Sequence, residues 1–251
     1  MSKFISKQSV ASWYAMTALL ATFLVGQVIL WFFPDGSSMG TSLLFILMNL
    51  IPLIVAAVFS LVLSEVNSLG EFFKKVFLQK ESSLSWILAF FIPVIYYGIS
   101  ILLMNVRFTG NSLLAFFIYF PWTLLYGGLE EVGWRWFLQD HLSYSKYFIP
   151  KMMLLSIVWF LWHIPIYQLP WITAGSSNYL IFYLMILGNA FLFGALKEYS
   201  KGAVPCILAH MLIDSLAVLM LVQSSLPQII LLVIFEILVA SWLVAARKSE
   251  K

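Results

Sequence analysis

Long apolar runs recur along this chain and are separated by short polar breaks. Eight of them approach the length needed to cross a hydrocarbon core about 30 Å thick as helix, roughly 20 residues. They cover residues 12–33, 43–63, 84–104, 113–128, 152–167, 179–196, 204–222 and 228–246. The fourth and fifth are short, and the fourth is expected to continue as helix through Glu130 to Leu138. The breaks carry turn chemistry, as in Pro34-Asp35-Gly36-Ser37, Thr109-Gly110-Asn111 and Ala174-Gly175-Ser176-Ser177. The pattern predicts an all-α polytopic membrane protein of about eight helices, a single integral domain over residues 1–251. Residues 69–79 differ, with apolar side chains at 69, 72, 73, 76 and 77 and Glu71, Lys74, Lys75 and Gln79 between them. That spacing predicts an amphipathic helix lying along the membrane interface.

Composition excludes the other classes. The chain is 62% apolar and 10% charged, whereas soluble domains carry about 25% charged residues. No disordered chain, disulfide-stapled fold or nucleic-acid binder has this make-up, and the single Cys206 cannot form an internal disulfide. The first run follows Lys3 and Lys7, but it is too long for a signal h-region and no small-residue cleavage site follows. It is read as a retained span.

Charge placement orients the bundle. With eight spans, one side receives both termini and segments 64–83, 139–151 and 197–202. That side holds Lys3, Lys7, Lys74, Lys75, Lys80, Lys146, Lys151, Lys197, Lys201, Arg247, Lys248 and Lys251. The other side holds Arg107 alone. Positive residues collect in cytoplasmic loops, so both termini are expected in the cytoplasm. Trp13, Trp31, Trp86, Trp122, Trp171 and Trp242 fall near span ends, as an interfacial belt requires.

The remaining charges lie inside spans, where each costs about 2.5–3.5 kcal/mol on insertion scales and usually serves a function. Glu130, Glu131 and Arg135 are clustered in the fourth run, His163 is in the fifth, His210 and Asp214 are in the seventh, and Glu236 is in the eighth. Glu131 and Arg135 are spaced i,i+4, as are His210 and Asp214, so each pair shares a helix face. Glu130 is turned about 100° from Glu131 and can face a different partner. At about 1.5 Å per residue from the basic ends, Glu130, Glu131, His163, His210 and Asp214 all fall about 13–20 Å deep. Arg135 is shallower, at about 8 Å. Three helices thus bring acid–base groups to comparable depth, which predicts one shared site. Glu236, Asn49 and Asn189 are expected to make interhelical hydrogen bonds, and His141 to lie on the surface.

Two carboxylates, two imidazoles and an arginine in a partly dry cavity suit general acid–base chemistry. A buried carboxylate can activate a water, and side-chain donors can hold the oxyanion that forms. Peptide hydrolysis follows as a reaction class. There is no His-Glu-x-x-His for a zinc site, no second buried aspartate and no Gly-x-Ser-x-Gly. No cofactor and no metal are expected, although the same imidazoles and carboxylates are also metal-ligand types.

In order, Glu130-Glu131-x-x-x-Arg135, then Trp159-Phe160-Leu161-Trp162-His163, then His210-x-x-x-Asp214 resemble the three motifs of the CPBP family. This is the CAAX protease and bacteriocin-processing group, also called ABI, which includes the type II CAAX prenyl endopeptidases. The resemblance spans about residues 113–222, with Gly194 and the Lys201–Pro205 stretch similar to the lead-in of the last motif. It implies eight transmembrane helices and metal-independent intramembrane proteolysis by a glutamate-activated water. By motif position, Glu130 would be the general base with His163 assisting. Glu131 and Arg135 would orient the site, while His210 and Asp214 would bind the oxyanion or position substrate. Two positions depart from the pattern: Trp159 stands where the family often has Phe, and Asp214 where eukaryotic members have Asn. The implied partner is a membrane-associated, prenylated or otherwise lipophilic peptide, in a bacterial plasma membrane. The alternatives are a non-proteolytic immunity or binding protein of the same fold and a proton-coupled transporter.

Overall fold

The computed structural model describes residues 6–34, 36, 38–143, 147–169, 171–172, 178–223 and 225–249. Among them, seven apolar helical segments are long enough to cross a bilayer. These are α1 (Lys7–Phe32), α2 (Met39–Val62), α4 (Ser83–Leu102), the compound segment Leu113–His141, α7 (Phe148–Tyr167), α8 (Tyr179–Tyr199) and α10 (Leu226–Ser249). An eighth apolar helix, α9 (Val204–Ala217), has only 14 residues. The protein is an all-α multi-pass membrane protein. Trp13, Trp31, Trp122 and Trp242 are all more than half exposed, consistent with a lipid-facing belt. The turn at Ala174–Ser177, residues Asp35 and Ser37 of the first turn, and Lys3, Lys146 and Lys251 lie outside the described residues.

Helix starts follow local chemistry. The hydroxyls of Ser6, Ser38, Ser68 and Ser82 accept backbone N–H bonds in the first turns of α1, α2, α3 (Leu69–Phe77) and α4. The predicted amphipathic helix is α3, whose Phe72 and Val76 are buried while Leu69 and Phe73 are exposed. The Glu71 carboxyl, on α3, is held down to about 2 by the Asn67 backbone N–H and the Lys75 ammonium.

The connections sort into two faces. On one, His141 Nε2 pairs with Glu65 Oε1 at 2.8 Å. There too the Glu81 carboxylate accepts the backbone N–H groups of Lys201 and Gly202 at 2.9 and 2.6 Å, and Ala203 N–H bonds Val76 O at 2.9 Å. On the other face, β1 (Val106–Phe108) pairs antiparallel with β2 (Met220–Val222), setting Arg107 opposite Leu221. Gln223 N–H reaches Asn105 O at 2.8 Å beside it. Lys74, Lys75, Lys80 and Lys201 are in the connections of the first face, Lys197 is in the last turn of α8 beside them, and Arg107 is on the second face, the partition the charge pattern predicts.

The compound segment is α5 (Leu113–Tyr126), a 3₁₀ turn (Gly128–Glu130), a π-helical stretch (Val132–Leu138) and the short α6 (Gln139–His141). The continuation through Leu138 is as expected, but its pitch changes are not visible in the apolar pattern. Close packing forces the glycines here. A Cβ on Gly127 would collide with the Asp214 carboxylate, and one on Gly128 with Met211 and Ile207, so this turn lies directly against α9. A Cβ on Gly133 would collide with the Tyr14 hydroxyl and Pro52, where Tyr14 donates to Pro52 O at 2.9 Å. Gly133→Ala is therefore expected to cost about 1–3 kcal/mol through overpacking. Thermal unfolding in detergent checks this, and an unchanged midpoint would show that the three segments can separate freely.

Four expectations are corrected. His141 is buried, 7% exposed, because it stacks on Phe137 and bonds Phe137 O as well as Glu65. Asn49 bonds Phe45 O within its own helix, and Asn189 Oδ1 is buried without a partner among the described residues. Both Glu236 carboxylate oxygens are likewise buried without a partner, against Gly188 of α8.

Candidate active site

The predicted residues converge. The 3₁₀ turn presents Glu130, and the following residue, Glu131, leads into the π-helical stretch; both carboxylates are buried. Glu131 Oε2 accepts Arg135 Nε at 2.7 Å. The i,i+4 spacing sets the two side chains on one face of this segment. Arg135 is fully buried. Its guanidinium lies 4.6 Å above the Trp159 ring and donates to Ala190 O at 3.3 Å. A buried charge tolerates such a place only when paired and bonded.

The other Glu131 oxygen, Oε1, is 2.8 Å from His210 Nδ1. On the far side of that ring, Nε2 is 3.5 Å from Asp214 Oδ2. Glu131, His210 and Asp214 thus form a line across two helices, with Arg135 at its closed end.

Glu130 faces elsewhere, as its rotation predicts. Its Oε1 accepts the Trp159 indole N–H at 3.3 Å and its Oε2 the Trp134 indole N–H at 3.4 Å. His210 Nδ1 is 3.5 Å from the same Oε1. Trp159, the departure from the motif's usual aromatic, therefore supplies a donor that Phe lacks. His163 Nδ1 lies 2.7 Å from Trp159 O. A carbonyl only accepts, so Nδ1 carries the hydrogen and Nε2 of the neutral ring is free to accept.

Two cavities meet at these groups. The smaller, about 180 Å³, is lined by Glu130, His163, His210 and Asp214 together with Asn49 and Tyr126. The larger, about 660 Å³, shares His163, His210 and Asp214 but not Glu130, and extends past Tyr97 and Asn189 to Arg107. The small chamber can hold several waters, at about 30 Å³ each. Glu130, Glu131 and His210 also offer three ligand atoms within 4.8 Å of one another, a set that could hold a metal ion.

Sequence reasoning found all six ionisable members of this cluster. It missed the indole donors of Trp134 and Trp159 and the roles of Gly127 and Gly128. The available signal was two glycines in succession just before Glu130 in an otherwise apolar helix. Glu236 does not belong to the cluster, as expected.

Residues 111–216 match the model of the type II CAAX prenyl endopeptidase Rce1-like family. The resemblance read from the three motifs is thus borne out over the segment that carries them. No curated protein matches the chain.

Proposed function

We propose that this membrane protein, whose site-bearing segment matches an endopeptidase family, hydrolyses peptide bonds within the bilayer by a glutamate-activated water. The observation that carries this reading is the placement of Glu130. It is the buried carboxylate facing the small chamber without an arginine partner, and His163, His210 and Asp214, which share that chamber, also line the large cavity. Water in the chamber gives a proton to Glu130, whose orientation the two indoles hold. The resulting nucleophile attacks a carbonyl lodged beside His163 and His210 in the large cavity. Oxyanion charge is held by the Nε2–H of a protonated His210, which is kept in register between the Glu131 and Asp214 carboxylates. Glu130 then returns its proton to the leaving amine. His163 Nε2 faces the same space and assists in holding the water. Both termini are cytoplasmic in this reading, in a bacterial plasma membrane, and the substrate is a prenylated or otherwise lipophilic membrane peptide.

The test is cleavage of a pool of internally quenched apolar peptides by the purified protein, with and without a strong chelator. Cleavage that persists in chelator is expected. Cleavage lost in chelator and restored by zinc would replace the water-only mechanism with a metal held by Glu130, Glu131 and His210. A protein that cleaves nothing while retaining its cellular effect after Glu130→Gln would be a binding or immunity protein.

A further inference from the structure

The large cavity runs from the catalytic cluster toward one face of the bundle. Its inner wall is closed: Trp159 is 2% and His210 8% exposed. Beneath them Arg135 is fully buried, and Gln139, 1% exposed, bonds Gly194 O at 3.0 Å. That seal lies on the side of the lysine-bearing connections. The opposite end is lined by Arg107, Leu221 and Gln223, all exposed. A substrate therefore reaches the cluster from the β1–β2 face.

Arg107 is the one cation on that face among the described residues, and no ion pair is formed by it there. Its position is fixed. The backbone of β1 is locked to β2, Thr109 N–H bonds Leu219 O at 3.0 Å, and the Asn111 amide donates to Val218 O at 2.9 Å. These bonds tie the arginine's strand to the segment that continues α9, the helix carrying His210 and Asp214. From Asp214, at the inner end, to Leu221, opposite Arg107, the chain's path is no longer than about 18 Å. About five extended peptide residues cover that span.

The geometry points to Arg107 as the outer anchor of the substrate site, binding a peptide carboxylate no more than about five residues from the bond that is cut. A guanidinium matches a carboxylate with two parallel donors, a geometry that selects as well as attracts. The carboxylate is either the peptide's C-terminus or an acidic side chain near it. This anchor rests on the proteolytic reading for its purpose but not for its test, which measures binding alone.

The protein carrying Glu130→Gln is held in dodecyl maltoside micelles, which contain no phosphate. Three apolar hexapeptides bearing an uncharged fluorophore are titrated: one with a free C-terminus, one amidated, and one amidated with a penultimate glutamate. At least one carboxylate peptide is expected to bind about tenfold more tightly than the plain amide, as a charge-assisted pair of 1.5 kcal/mol or so would give. Which of the two binds identifies the source of the carboxylate. Arg107→Gln should equalise the three, and Arg107→Glu should favour a peptide ending in an amine. Equal binding of all three peptides by the parent protein would overturn the anchor, as would a preference that survives Arg107→Gln. A preference that follows Arg107 in a protein that cleaves no peptide with Glu130 intact would overturn the proteolytic reading and leave the anchor standing.

Discussion

Glu130→Gln is expected to lower kcat/KM by at least about 10³-fold while leaving the midpoint of thermal unfolding unchanged or higher. General-base catalysis alone is worth about 10²–10⁴-fold, and the amide can neither take a proton from water nor return one to the leaving amine. Stability moves the other way for a separate reason. Glu130 is buried beside Glu131, and among the described residues its carboxylate accepts two long indole contacts of 3.3 and 3.4 Å, with His210 Nδ1 3.5 Å away. Removing a carboxylate from that place removes a desolvated group whose partners are weak. Glu130→Asp separates charge from position: it keeps the carboxylate but draws it back by one methylene, away from both indoles. A displacement of that size can cost about 10²-fold where reacting atoms must be aligned. The measurement is the rate of quenched-peptide cleavage beside thermal unfolding of each variant. Full activity in Glu130→Gln would remove the proposed base outright. Loss of activity together with a collapsed unfolding midpoint would make Glu130 a structural group.

The pairings behind this prediction were legible to different degrees. The i,i+4 spacing of Glu131 with Arg135 and of His210 with Asp214 is intrahelical, and helix geometry alone brings each pair together. Depth reasoning brought His163 and His210 to one level because both helices start near basic face residues. Contacts between helices depend on rotation about each axis, which uniformly apolar helices do not reveal. Glu130 meeting Trp159, or Tyr14 meeting Pro52, could not be read for that reason. The π turn was hidden as well, since it alters pitch without altering composition. His141 misled because a histidine in a polar break resembles a loop residue. It is buried against Phe137 and Glu65, and Glu65 is 76 positions away. Glu236 shows the opposite failure: an acid in an apolar helix predicts a partner, and here both oxygens have none among the described residues.

Arg135→Met is expected to destabilise the fold by about 3–5 kcal/mol, the cost of leaving a buried charge without its partner. Arg135 is fully buried, so no water replaces it beside Glu131, and Glu131 would keep only His210. Methionine fills most of the volume over Trp159, so cavity formation contributes little. Adding Glu131→Gln to the same protein should recover most of the loss. The native pair is itself imperfectly satisfied: Arg135 Nη2 has no partner among the described residues, and the Nη1 bond to Ala190 O is long at 3.3 Å. Replacing both members of such a pair by uncharged groups is often neutral, whereas removing one is not. Activity should not return with stability, because the His210 ring loses the carboxylate that holds its Nδ1 and, with it, the orientation of Nε2 toward the large cavity. Unfolding midpoints in detergent for the two single variants and the double variant give the coupling directly. A double variant as unstable as Arg135→Met would place the arginine's contribution in its packing on Trp159 and Phe193. A double variant that is both stable and fully active would detach Glu131 from the positioning of His210.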